Sequence, residues 1–125
     1  MLGSSAVIGF APTTDLARAI GFFGGVLGLR VVDESLFAVS FDAAGTLVRV
    51  TLVDNLIPAP YTILGWRVDD IVRSTRELAA NGVESERYRW LEQDIDGVWT
   101  APGGDRVLWF KDPDGNVLSL TQFAE

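Results

Sequence analysis

Two stretches far apart in this chain carry the same plan, and that repetition restricts the fold more than any other feature of the sequence. Asp15-Leu16 recurs as Asp70-Ile71, 55 positions on, while Asp42, Gly45 and Leu47 recur as Asp112, Gly115 and Val117, 70 positions on. A repeat of this length is one supersecondary unit used twice. In the first copy an apolar run at 6–11 reads as a strand, and Thr13, Thr14 and Asp15 supply helix-capping oxygens. Leu16, Ile20, Phe23 and Leu27 then recur at helical spacing, and Gly28 can close the helix. Three β-rich runs follow at 29–33, 36–42 and 47–53, the last two joined by Ala43-Ala44-Gly45.

The second copy repeats the order. A strand at 61–68 leads to Asp69 and Asp70, a helix through Ile71, Leu78 and Ala79 ends at Asn81-Gly82, and strands are expected at 83–90, 97–101, 106–111 and 116–122. The predicted fold is therefore α+β, two β-α-β-β-β modules at 1–54 and 61–125 with a proline-bearing linker at 55–60. The second module is longer by about 15 residues, and the excess falls around 87–105, where Trp90 and Trp99 lie.

Composition removes whole classes of function. With 48% hydrophobic residues, 125 residues suffice for one domain built as two small halves. The net charge of -7 argues against a nucleic-acid partner, which needs cations to displace condensed counterions. The absence of Cys removes disulfides, thiol nucleophiles and iron–sulfur ligation, and makes the cytoplasm the expected compartment. The absence of His removes a Ser-His-Asp triad and every His-bearing metal site. No run of apolar residues reaches the length of a membrane span, so no membrane partner is expected.

Phe110-Lys111-Asp112-Pro113-Asp114-Gly115-Asn116 followed by Val117-Leu118-Ser119-Leu120, the helix opening Asp15-Leu16-Ala17-Arg18-Ala19, and the helix end Val26-Leu27-Gly28-Leu29 occur in one order. Together with the doubled plan, they resemble the vicinal oxygen chelate superfamily, the group of glyoxalase I, extradiol dioxygenases, fosfomycin-resistance enzymes and bleomycin-resistance proteins. The resemblance implies that each module curls a mixed sheet into half of a cup, helices outside, around a ligand cavity often shared between subunits, and hence a homodimer. Metal-holding members usually place a His about seven residues before the helix-opening acid and a Glu four residues after the turn glycine. Here those positions are Ile8, Ile63, Arg49 and Ser119, so no metal and no cofactor are expected.

Strand alternation from these positions gives the expected ligand-facing set: Phe10, Arg49, Tyr61, Ile63, Arg67 and Ser119. Arg49 demands an anionic ligand group, a carboxylate partner or solvent. Trp66 is out of phase and expected against the helices. Trp90, Trp99 and Trp109 complete the set as ring platforms, with a subunit interface as the other reading of Trp90 and Trp99. Glu92, Asp94 and Asp96 beside them suit a flat or cationic compound. The Asp-Pro-Asp-Gly-Asn run itself reads as a turn.

The leading expectation is a metal-independent small-molecule binder similar to bleomycin-resistance proteins, sequestering an aromatic or cationic compound in a dimer cleft, with no catalytic residues. The alternative is a lyase, isomerase or dioxygenase using Arg49 and a rim carboxylate, with Tyr61 as proton donor. A protein-binding regulatory module is a third.

Overall fold

The computed structural model describes residues 1–125. The chain forms two compact units, Met1–Ile57 and Pro58–Glu125, each carrying one four-stranded mixed sheet. The architecture is the α+β one expected, two β-α-β-β-β modules. No helix is long and apolar enough to cross a membrane.

In the first unit β1 is Ile8–Thr13, α1 Leu16–Ala19, β2 Arg30–Glu34, β3 Ala38–Ala43 and β4 Thr46–Leu52, with sheet order β1-β4-β3-β2. β1 runs parallel to β4, and β3 is antiparallel to both β4 and β2. Asp15 caps α1, its carboxylate accepting from the Arg18 amide at 3.1 Å. The helix does not continue as an α-helix. Ile20–Val26 winds as a π-helix, in which the Leu27 amide donates to the Phe22 carbonyl at 2.9 Å. Three glycines in that segment weaken the α preference, and the wider turn changes which residues face the sheet. The expected stripe of Leu16, Ile20, Phe23 and Leu27 is therefore corrected: of the four only Phe23 is buried, and it is joined by Ala19 and Phe22. Phe22 and Phe23 meet edge to face at 5.3 Å, and Phe23 packs on Phe41 at 5.8 Å. Ala11, Val39, Phe41, Val48 and Val50 complete this core.

In the second unit β5 is Thr62–Arg67, α2 Ile71–Ala80, β6 Trp99–Thr100, β7 Arg106–Lys111 and β8 Val117–Gln122, with order β5-β8-β7-β6. Asp70 caps α2 through the Arg73 amide, and the Gln122 side-chain oxygen accepts from the Ile71 amide at 2.9 Å, tying the helix start to the last strand. Ile71 and Leu78 of α2, with Leu108, Phe110, Leu118 and Leu120 of the sheet, are buried, and Trp66 stacks on Phe110 at 6.4 Å on this core side.

The strand expected at 83–90 does not form. Side chains take over the work of a ladder in this segment. Gln93 accepts from the Tyr88 amide and donates to the Glu86 and Gly97 carbonyls, while the Arg87 guanidinium donates to the carbonyls of Asp94 and Ile95 at 2.7 Å each. A single backbone bond, Glu86 amide to Trp109 carbonyl at 2.8 Å, fastens it to β7.

Candidate functional site

Each sheet has one face against its helix and one face turned away from it. In the first unit the open face carries Ile8 and Phe10 of β1 and Leu47, Arg49 and Thr51 of β4, because Val48 and Val50 between them go into the core. Phe10 and Ser40 are the two neighbours of Arg49 across the ladders. Phe10 is 56% exposed, Arg49 half-buried and Ser40 buried.

In the second unit the row equivalent to Phe10, Arg49 and Ser40 is Gly65, Ser119 and Trp109. A Cβ on Gly65 would stand 2.7 Å from Ser119 Oγ, so only glycine fits beside that hydroxyl. The Trp109 indole spans β8 and donates to Thr62 Oγ1 on β5 at 3.1 Å, which leaves Ser119 8% exposed. A register shift between Thr62 and Leu64 leaves Ile63 unpaired on β8, so strict alternation through Ile63 is corrected: Thr62 is the residue that meets Trp109. Arg67 lies at the far end of β5 with its guanidinium over the Phe123 ring at 5.3 Å, and Tyr61 is exposed just before β5.

Trp109 belongs to a run of four rings. Trp99, opposite Val107 on the neighbouring strand, lies 6.0 Å from Trp109, Tyr88 meets Trp109 edge to face at 5.6 Å, and Trp90 lies over Tyr88 at 5.0 Å. Trp90 is 77% exposed. Two tilted pairs joined at a right angle form a stepped aromatic surface. Lys111, on the same side of β7, pairs with Glu86 at 3.3 Å. Burial raises the Tyr88 hydroxyl's pKa above its ordinary value, with Glu86 adding to the effect and Lys111 opposing it, so this phenol stays a neutral donor at physiological pH. In the sequence Tyr88 already stands with the three tryptophans in the aromatic-rich rim; its place as the hinge of the ring run follows only from the folding of 81–98.

Two of the rim acids, Asp94 and Asp96, are engaged elsewhere than at these rings. The Asp94 carboxylate accepts from the amides of Asp96 and Val98, and Asp96 pairs with Arg76 of α2 at 3.5 Å. Two of the three rim carboxylates are thus spent on holding the loop. The turn at 112–116 is structural as expected: buried Asp112 accepts from the amides of Asp114 and Asn116 and from the Asn116 side chain.

At the four positions where the fold would carry a metal, the donor chemistry does not fit one. Ile8 and Ile63 have no donor atom, Arg49 is a cation and Ser119 offers a single buried hydroxyl, and no three Asp or Glu side chains converge elsewhere.

Doubled β-α-β-β-β modules with open sheet faces define a class that comparison with known proteins makes explicit. The model of the glyoxalase/bleomycin resistance protein/dioxygenase superfamily matches residues 8–120, and the chain belongs to that superfamily. Solved structures share the fold. A superfamily member from Sphaerobacter thermophilus is 24% identical with a TM-score of 0.77, covering 98% of this chain and 100% of its own. A lactoylglutathione lyase from Agrobacterium tumefaciens is 19% identical with a TM-score of 0.74, covering 95% and 93%. A genomically encoded fosfomycin resistance protein from Listeria monocytogenes is 18% identical with a TM-score of 0.74, covering 97% and 94%. No curated protein matches the chain.

Proposed function

We propose that this protein is a cytoplasmic, homodimeric small-molecule binder that holds an aromatic compound against the Trp90–Tyr88–Trp109–Trp99 surface, in the manner of bleomycin-resistance proteins and without a metal of its own. The observation that carries this reading is the exposure of Trp90 at the end of a run of mutually packed rings, where a flat guest extends a stack already built. The engagement of Asp94 and Asp96 within the loop favours an aromatic guest over a cationic one. A lyase and a resistance protein among the fold neighbours support a small-molecule role for the open faces.

The test is a thermal-shift screen of antibiotics, aromatic metabolites and acyl thioesters, since a bound ligand raises stability by mass action. Trp90→Ala should then weaken binding of an aromatic hit by about 1 to 3 kcal/mol with the melting temperature of the free protein unchanged, because an exposed ring contributes little to the core. If Trp90→Ala instead dissociates a dimer and leaves binding intact, the ring is an interface residue and the reading fails.

A further inference from the structure

Arg49 is in an unusual position for a charged group. Of the ten Lys and Arg residues, Arg49 and Arg106 are the half-buried ones whose side chains make no ion pair, hydrogen bond or ring contact. Arg106 sits at the end of β7 beside Gln122, whereas Arg49 is in the middle of β4, with strands on both sides. Two acids share its face of the sheet and neither pairs with it: Asp42, two residues along in register on β3, is held by Arg30 at 3.7 Å and by the Gly45 amide at 3.1 Å, and Asp33 lies across Ser40 on β2, two strands away from Arg49. Its other neighbours are Phe10, Ile8, Leu47, Ser40 and Thr51, none of them charged. Partial burial without a counter-charge is costly, and the guanidinium fork matches a carboxylate with two parallel hydrogen bonds.

We infer that the open face of the first sheet is an anion seat in which Arg49 binds the carboxylate of a small organic acid whose apolar body lies on the exposed ring of Phe10. The inference rests on the reading that the open faces of this protein hold a small molecule, and it adds the charge class of that molecule. Ser40, the ladder partner on the other side, is a buried polar residue. A point cation there selects acids over neutral compounds of the same shape.

Calorimetric titration of the full chain at low salt with benzoate, phenylacetate and 2-naphthoate, each against its own carboxamide, tests this. At least one carboxylate should bind about tenfold or more tightly than its amide, the difference expected for one charge-assisted contact. Arg49→Gln should bring the two affinities together without lowering that of the amide or the melting temperature, and Arg49→Lys should retain part of the preference. Equal binding of acid and amide to the wild type, or a preference that survives Arg49→Gln, overturns the anion seat. If these six fail while another compound of the screen binds and responds to Trp90→Ala, the anion seat falls and the aromatic reading stands. If nothing binds, both fall.

Discussion

The two units put opposite chemistry into the same row of their sheets. In the first, the row across the open face is Phe10, Arg49 and Ser40; in the second it is Gly65, Ser119 and Trp109. The large residue sits on the outer strand of one unit and on the hairpin strand of the other, and the central position is a long cation in one and a small hydroxyl in the other. The difference shows how one backbone plan accommodates two different rows of side chains. A small central residue lets an indole reach across the sheet to the outer strand, whereas the long central residue is half-buried between an exposed Phe10 and a buried Ser40. The helices differ as well: α2 is a regular ten-residue helix, while α1 passes after four residues into a π-helix.

The largest effects should come from what the units share. Phe41 and Phe110 are fully buried at equivalent ladder positions, opposite Val48 and Leu118. Phe41→Ala and Phe110→Ala should each cost about 3 to 5 kcal/mol in denaturant unfolding. A much smaller loss for one would show that the two cores are not equivalent.

Next comes the row itself. Gly65→Ala forces a Cβ to within 2.7 Å of Ser119 Oγ and should destabilise by about 1 to 3 kcal/mol. Adding Ser119→Ala should restore part of that loss, and strict additivity in the double mutant would show that the hydroxyl is not what excludes a side chain.

The helix caps should respond alike. Asp15→Ala and Asp70→Ala each remove one side-chain acceptor for an amide and should cost about 1 kcal/mol by thermal melts. A negligible loss for Asp15→Ala alone would mean that the short α-turn before the π-helix is held by packing rather than by its cap.

The smallest effect distinguishes the two turns. Burial raises the pKa of the Asp112 carboxyl, against the bonds donated by Asn116, so the folded chain holds that proton more tightly than the unfolded one. Its favourable contribution is complete below the ordinary carboxylate range and is lost as pH rises through the raised folded value. The melting temperature of the wild type relative to Asp112→Asn should therefore be most favourable in acid and decline toward neutrality. A difference that grows with pH would contradict burial as the dominant cause.

Much of the plan was legible in local chemistry. Capping aspartates, turn glycines and strand alternation act over a few residues, which is why both N-caps, strands β7 and β8, and the outward position of Arg49 follow from the sequence. Alignment of the copies on Asp42 and Asp112 was less faithful. The first turn is a two-residue one with Ala44 and Gly45 at positive φ, whereas the second extends from Asp112 to Asn116, so Phe41 corresponds to Phe110 and Ser40 to Trp109, one position off the 70-residue spacing.

The repeated plan and the missing His and Cys were determined by the sequence alone, because residue identity and short spacing suffice for them, and Ile8, Arg49 and Ser119 stand where the resemblance to the superfamily puts metal ligands. Three features were decided only by tertiary structure: the π-helical winding that buries Phe22, the ring run assembled by Tyr88, and the withdrawal of Asp94 and Asp96 into the loop. They depend on groups brought together from distant positions, Trp109 reaching Thr62, Phe41 meeting Phe23 and Arg76 of α2 holding Asp96, while Gln93, Arg87 and Asp94 satisfy the backbone at 86–98 from within the segment itself. Such contacts have no signature in local periodicity, since their energy exists only once the sheet is formed.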